Sequence, residues 1–367
     1  MGIRPGRGYG SFVRGTTPAP SLGEWPVDGL EPVDRCPACG SSDRALLYAG
    51  VTDRSYLHAP GRWDLHRCGD CGCAFLDPRP TKETVGLAYG NYYEDAAAAP
   101  AAAGSAGARP WRRLRHAIRN GYLNARYGYE LAPASAAGRV LVPLVPHQRE
   151  LADEHIRHLP KRPGRPRLLD VGCGEGEFLA VMAALGWAAE GIDPSADAVE
   201  AARRQGVRVR QGDLTDVPLD DEAFDAITFR LVFEHIPDPV SALEVCHRAL
   251  RPDGVVWIAA PNLLSDASRV FGDAWIYLEP PRHAVLYTPG ALDRLLRRCG
   301  FEPVLLRPSG RAAWSFRLSG AIARGEPPFR SPRPLSPAER ARASLADLRA
   351  RLRPERADVL VVVARKR

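Results

Sequence analysis

Two Cys-x-x-Cys pairs, Cys36-Pro-Ala-Cys39-Gly and Cys68-Gly-Asp-Cys71-Gly, stand 28 residues apart. Four thiolates in this arrangement suit a tetrahedral Zn²⁺, and the glycine after each pair admits the positive φ that turns backbone amides back toward the sulfurs. A closed Cys₄ site has no open coordination position, so its expected work is to fold a region too small to build its own core. Disulfides are disfavoured: Met1 to Pro20 lacks the apolar stretch of about 7 to 15 residues that a secretory leader needs, and the expected location is the cytoplasm. A redox role would not explain two matched pairs. Cys73 and His66 lie beside the second pair as substitute ligands, and Cys173, Cys246 and Cys299 read as small buried hydrophobes.

A second constellation lies further on. In Leu168-Leu-Asp170-Val-Gly172-Cys173-Gly174-Glu-Gly176 a glycine-rich turn joins a strand to a helix, where backbone must approach a ligand closely. Asp193 ends the next strand, placed to accept both hydroxyls of a ribose, and Gly212-Asp213 ends a third, placed to accept from an adenine amino group. Arg230 to His235 follows a fourth. The acidic Asp170 argues against a pyrophosphate at the turn and for a cationic or zwitterionic ligand.

The elements that must position these residues are legible from Arg167 onward as strand, turn and helix in alternation, the pattern of a parallel sheet with crossover helices. Strands are expected at Arg167–Val171, Ala188–Asp193, Val207–Gln211, Phe224–Phe229, Val255–Ala260, Glu302–Arg307 and Asp358–Ala364, with helices at Gly176–Leu185, Ser195–Gln205, Val240–Leu250 and Ala291–Arg298. Ser336-Pro-Ala-Glu339 has an N-cap serine, proline at the first helical position and glutamate at the third, so a helix should run to Arg353. Ala45–Tyr48 and Trp63–Arg67 alternate as short strands, and Trp111, Leu114, Ile118 and Leu123 make a helical stripe. The expected organisation is a Gly/Pro-rich tail at 1–30, a zinc-ribbon-like domain at 31–95, a linker and basic helical segment at 96–160, and an α/β domain at 161–367 with an insertion at 311–356.

Composition narrows the classes further. The 367 residues are 45% hydrophobic and 25% charged, ordinary for a globular chain, and exclude a fibrous or wholly disordered protein. No apolar run reaches the roughly 18 residues that span a bilayer. The net charge is +7, yet 13 Arg/Lys oppose four acids between Arg109 and Arg167. Such a segment is either a solvated face or an anion-binding one, and leaves peripheral contact with an anionic membrane open.

Asp170-Val-Gly-Cys-Gly-Glu-Gly, Gly191-Ile-Asp193-Pro194-Ser, Gly212-Asp213-Leu214 and Glu234-His235-Ile-Pro-Asp, in that order, resemble the successive motifs of class I S-adenosylmethionine (SAM)-dependent methyltransferases over roughly residues 165 to 310. The resemblance implies a Rossmann-like seven-stranded sheet whose last strand is antiparallel and inserted between strands five and six. It also implies that Asp170, Gly172, Cys173, Gly174 and Gly176 line the amino-acid part of SAM. Asp193 and Pro194 would serve the ribose, and Gly212, Asp213 and Leu214 the adenine. Arg230 and Leu231 would floor the pocket toward the methyl group. The cysteine-bearing front end, with Phe75-Leu-Asp-Pro-Arg-Pro-Thr81 and Tyr92-Tyr93, is similar to a bacterial subset associated with sugar, polysaccharide or secondary-metabolite tailoring.

In these enzymes the segment after strand five forms an acceptor lid, here Trp275 to Thr288. His283 is the candidate base, His235 the second, and Tyr277, Glu279, Arg282 and Tyr287 are positioning groups. Arg282 is expected to depress the His283 pKa and keep the imidazole neutral. The expected activity is methyl transfer, O-directed, to a small-molecule acceptor, with SAM as cofactor and zinc as a structural ion. Two other readings compete. The zinc region and basic segment could serve an RNA- or DNA-modifying enzyme, but Arg230-Leu-Val-Phe233 is not the Asn/Asp-Pro-Pro-aromatic loop of base amino-methylating relatives. A non-catalytic SAM-binding scaffold is the third. The acceptor and the oligomeric state are not legible.

Overall fold

The structure is a computed structural model that describes residues 23–90, 110–309, 312–330 and 332–367. Most of the expected tail, the linker at 96–108 and the Tyr92-Tyr93 pair lie outside the described residues.

Seven strands form the central sheet: β6 (Arg167–Val171), β7 (Ala188–Asp193), β8 (Arg208–Gln211), β9 (Phe224–Arg230), β10 (Leu250–Pro261), β12 (Phe301–Ser309) and β13 (Val359–Lys366). Their order across the sheet is β12-β13-β10-β9-β6-β7-β8. β6 to β10 pair in parallel, whereas β13 runs antiparallel between β10 and β12. The order reverses beside β6, where β7 leaves on one side and β9 on the other, so the carboxyl ends of β6, β7 and β9 open onto one crevice. This is the Rossmann-like topology expected from the motifs. β10 begins five residues earlier than expected because Leu250 already pairs with Phe224 across an irregularity in the ladder.

The crossover helices α4 (Glu177–Ala184), α5 (Ala196–Arg204), α6 (Pro239–Ala249) and α8 (Pro289–Arg298) fall where expected to within a few residues, and a short helix, α7 (Asp266–Phe271), follows β10. Their starts are set locally: Ser195 and Thr288 accept from the third residue of their helices, and Asp238 does the same for α6 with proline at its first turn. The capping box at Ser336 and Glu339 is formed and starts α10 (Pro337–Leu352). A further helix, α9 (Ala312–Ala323), precedes it in the inserted segment.

The basic segment folds as α1 (Pro110–Tyr127), α2 (Gly138–Leu144) and α3 (Pro146–His155). Only the second half of its expected stripe is buried: Leu123 is fully covered, but Trp111 and Leu114 are exposed, with Arg112 and Arg115 over the Trp111 ring. Buried Asp153 on α3 gathers the hydroxyls of Tyr122 and Tyr127 at 2.7 and 2.8 Å, which fixes α1 against α3.

At the front of the chain β1 (Leu30–Glu31) pairs with β5 (Arg79–Pro80), and β2 (Arg44–Val51), β3 (Trp63–Cys68) and β4 (Ala74–Leu76) form an antiparallel sheet. Its fourth strand is β11 (Val285–Leu286), contributed from beyond β10. The front sheet is therefore completed by the very segment expected to act as the acceptor lid.

Candidate functional site

The glycine-rich turn after β6 is built by three left-handed glycines, Gly172 (φ +67°), Gly174 (φ +54°) and Gly176 (φ +85°). Gly172 and Cys173 donate their N–H groups to the Ile192 carbonyl at 2.8 and 3.2 Å, which stitches the turn to β7. A Cβ on Gly172 would stand 2.4 Å from Val232, whereas one on Gly174 would meet nothing within 4 Å. Space over the turn is thus open where a ligand must come close to backbone, as SAM would require.

Asp193, at the end of β7, accepts from Gly174 N–H at 2.8 Å and Ser195 N–H at 2.9 Å. Burial raises its pKa, and those two N–H groups work against the rise. Pro194 beside it is exposed. Gly212 (φ +137°) donates to the Asp193 carbonyl at 3.0 Å, so Asp213 and buried Leu214 follow directly on the same edge. The Asp213 side chain is 52% exposed, and Lys82 approaches it at 4.0 Å while bonding Asp216 at 2.5 Å. Arg230 at the end of β9 is exposed, and Leu231 takes a left-handed φ of +54°. The structure therefore brings the expected SAM-side residues to one edge of the sheet.

Asp170 is the exception in kind. It is buried and paired with Arg157, and Thr228 Oγ1 lies 3.0 Å from the same carboxylate oxygen. Arg157 also reaches Thr228 Oγ1 at 2.7 Å and lies 3.6 Å over the Phe178 ring. The repulsion of a pyrophosphate expected from Asp170 loses its premise, because Arg157 meets the charge. The other oxygen, Oδ2, has no hydrogen-bond partner among the described residues and is the part left for a ligand donor. Arg157 was invisible in sequence: it sits in a left-handed Arg157-His158 pair after α3, which no composition signal marks.

Across the crevice, Trp275 to Thr288 packs as buried polar and aromatic groups. His283 Nδ1 lies 2.7 Å from the Tyr277 carbonyl, and since a carbonyl only accepts, Nδ1 carries the proton and Nε2 presents a lone pair. Nε2 stands 3.7 Å from Glu279 and 4.0 Å from Glu234. The His235 ring is 4.7 Å away and nearly perpendicular, with its Nδ1 3.1 Å from the Arg282 carbonyl and 3.0 Å from the Tyr89 hydroxyl. Burial holds the His283 pKa well below its ordinary value, with His235 and Arg282 adding to it, so the expected direction is right but burial is the leading cause. His235 is likewise lowered by burial to about 4, against the Arg282 and Leu231 carbonyls. Burial pushes Glu234 well up and raises Glu279 to about 7, the latter opposed by Arg282.

Three expected positioning groups have other work. Arg282 donates to Asp53 at 2.5 and 3.0 Å, both side chains fully buried, and to the Ala88 carbonyl at 2.8 Å. Burial alone would raise the Asp53 pKa, but Arg282 and backbone N–H groups from Ser55 to Ala59 hold it below the usual carboxylate range. This pair fastens the lid to the front of the chain. Tyr277 enters the site through its carbonyl, its ring packed edge-on to Trp275. Tyr287 stacks on Phe233 at 5.3 Å, which braces the turn that carries Glu234.

The four cysteine sulfurs of the two pairs lie within 4.8 Å of one another, with Cys36–Cys71 and Cys39–Cys68 each at 3.5 Å. Sulfurs about 2.3 Å from a tetrahedral zinc would stand roughly 3.8 Å apart, so the donor set fits the ion. Neither Cys73 nor His66 belongs to the group. The Cys71 carbonyl accepts from Thr288 Oγ1 at 3.3 Å and Arg294 at 3.1 Å, which ties the second pair to the start of α8. No helix among the described residues is long and apolar enough to cross a membrane.

Comparison with known proteins follows the same lines. A family model described as a methyltransferase domain matches residues 146–306. The ubiquinone biosynthesis O-methyltransferase of Cereibacter sphaeroides is 31% identical over 170 residues, 42% of this chain and 68% of that protein. Its counterpart from Actinobacillus pleuropneumoniae is 35% identical over 107 residues, 26% of this chain and 46% of that protein. The chain thus spans about half the length of some of the curated relatives it matches. Among solved structures, a SAM-dependent methyltransferase from Mesorhizobium loti aligns with a TM-score of 0.41 and 21% identity, covering 58% of this chain and 96% of that one. With its sheet order, its glycine turn and the Cereibacter relative together, the chain belongs to the class I SAM-dependent methyltransferases.

Proposed function

We propose that this enzyme methylates a hydroxyl of a small-molecule acceptor, of the class of sugars, sugar nucleotides, polysaccharide precursors or natural products. When bound, SAM supplies a sulfonium-activated methyl group. Asp193 orients the ribose hydroxyls, Asp213 and Leu214 receive the adenine, and the Gly172–Gly176 turn with Asp170 Oδ2 holds the amino-acid end. Arg230 and Leu231, at the end of β9, floor the pocket toward the methyl group. Alignment of the two reactants is the larger share of the catalysis, since fixed geometry replaces a bimolecular encounter.

The observation that carries O-methylation is the buried cluster of Glu234 and His235, after β9, with Glu279 and His283, after β10, which converges lone pairs and is suited to take the proton of a hydroxyl. Relatives named as ubiquinone biosynthesis O-methyltransferases support the same bond type. We propose further that zinc fills the Cys₄ site as a structural ion, and that the region 31–95 and the domain 161–367 work as one unit through β11 and the Arg282–Asp53 pair.

The test is methyl transfer from radiolabelled SAM to a panel of hydroxyl, amine and carbon acceptors and RNA, with S-adenosylhomocysteine release measured in parallel. Label on a hydroxyl acceptor is expected. Label only on amines, carbon or RNA would overturn the reading.

A further inference from the structure

Glu234 is about 1% exposed, and neither carboxylate oxygen accepts a hydrogen bond from another residue among those described. A carboxylate so placed is strongly disfavoured unless a positive partner or a proton meets it. What surrounds it is a set of further acceptors. His283 Nε2 brings a lone pair 4.0 Å away, and Glu279 Oε2 lies 3.7 Å beyond that nitrogen. His235 stands beside them with its Nδ1 at the Arg282 carbonyl. One ligand atom each from Glu234, His235 and His283 falls within 4.8 Å of the others.

We propose that Glu234, His235 and His283 bind one divalent transition-metal cation, separate from the Cys₄ site. Two imidazoles and a carboxylate suit Mn²⁺, Fe²⁺, Co²⁺ or Zn²⁺ better than Mg²⁺ or Ca²⁺. Ligand atoms about 2.0–2.2 Å from one ion stand roughly 3–4 Å apart, so a closure of about 1 Å completes the site. A backbone carbonyl on Nδ1, as Tyr277 provides for His283, is the outer contact that fixes a ligating imidazole and strengthens it as a ligand. Three protein ligands leave coordination open for an oxygen of the acceptor.

The inference rests on the methyl-transfer reading and deepens it, because it makes the acceptor a hydroxyl able to ligate such a cation. His283 then positions that oxygen as a ligand, in place of the free general base expected from sequence. The hydroxyl proton passes to Glu279, the O–CH₃ bond forms, and the electron pair of the S–CH₃ bond stays on sulfur.

Mn²⁺ separates the two sites, because thiolates select softer ions. The full chain, its cysteines loaded with zinc, is titrated with MnCl₂ and free Mn²⁺ is followed by electron paramagnetic resonance. One Mn²⁺ per chain is expected, lost in His283→Ala and in Glu234→Gln, with SAM binding retained as the measure of folding. A wild-type chain that takes up neither Mn²⁺ nor Co²⁺ overturns the inference whatever the variants do, and so does uptake unchanged in His283→Ala. Methyl transfer that proceeds at full rate without added Mn²⁺ or Co²⁺ and with no metal beyond the zinc also overturns it. Mn²⁺ uptake at the site with no transfer to any hydroxyl supports the site and defeats the O-methylation reading instead.

Discussion

At the scale of single residues, three of the places where the described residues bury charge each make a distinct demand. The Arg282–Asp53 pair is fully buried, so breaking it strands a charge. Asp53→Ala is expected to cost about 3–5 kcal/mol in urea denaturation, because it leaves the buried Arg282 guanidinium without its carboxylate. The cluster around His283 bears on turnover. Glu279→Gln, which removes the group that takes the hydroxyl proton, should lower kcat by ~10²- to 10⁴-fold with little change in SAM affinity, which initial-rate kinetics and calorimetry on one preparation would separate. The third group is Asp358, raised to about 7 by burial, with Asp347 and Asp266 adding to it. Its folded pKa lies above the unfolded value, so its contribution is full below about pH 4 and is lost as pH rises toward 7. Asp358→Asn should therefore be more stable than wild type at pH 8, with the advantage shrinking on acidification, as read by thermal unfolding across pH.

At the scale of elements, the carboxyl ends of β6 and β7 are legible because buried parallel strands read as short apolar runs closed by glycine and aspartate, and that of the polar edge strand β8 is legible from the Gly212-Asp213 pair that follows it. That is how Asp193 and Asp213 could be placed before any coordinates. Arg157 and Asp53 were not legible, since their partners lie 13 and 229 residues away and pairing at a distance leaves no local pattern. β11 was missed for a related reason: two residues are too few to show a period, and only β4 defines them as a strand. The glycine turn offers a test at this scale. Gly172→Ala meets Val232 as well as a left-handed φ, whereas Gly186→Ala (φ +91°) meets nothing within 4 Å. Gly186→Ala should cost roughly the left-handed penalty of 1–2 kcal/mol, and Gly172→Ala more than that together with loss of SAM binding, as measured by denaturation and calorimetry.

At the scale of the whole molecule, the segment after β10 contributes β11 to the sheet of the cysteine-bearing front, and a buried ion pair and the Cys71 contacts to α8 join the two further. The motifs gave the two parts in order, but a boundary drawn along the chain does not show that the lid belongs to both. Stability of the cysteine region should therefore be felt at the acceptor side. Stripping zinc, or Cys39→Ser, is expected to lower the unfolding temperature and to reduce methyl transfer more than SAM binding, since the lid rather than the glycine turn rests on that region. Calorimetry and transfer assays on the same samples check the split.

The central claim, that this crevice holds SAM through Asp193, is tested most directly by isothermal titration of the zinc-loaded chain with SAM and S-adenosylhomocysteine. One-to-one binding that weakens roughly 10- to 100-fold in Asp193→Ala is predicted, the loss expected for hydrogen bonds to a charged carboxylate. A folded wild-type chain that binds neither ligand, or an Asp193→Ala variant that binds as well as wild type, would contradict it.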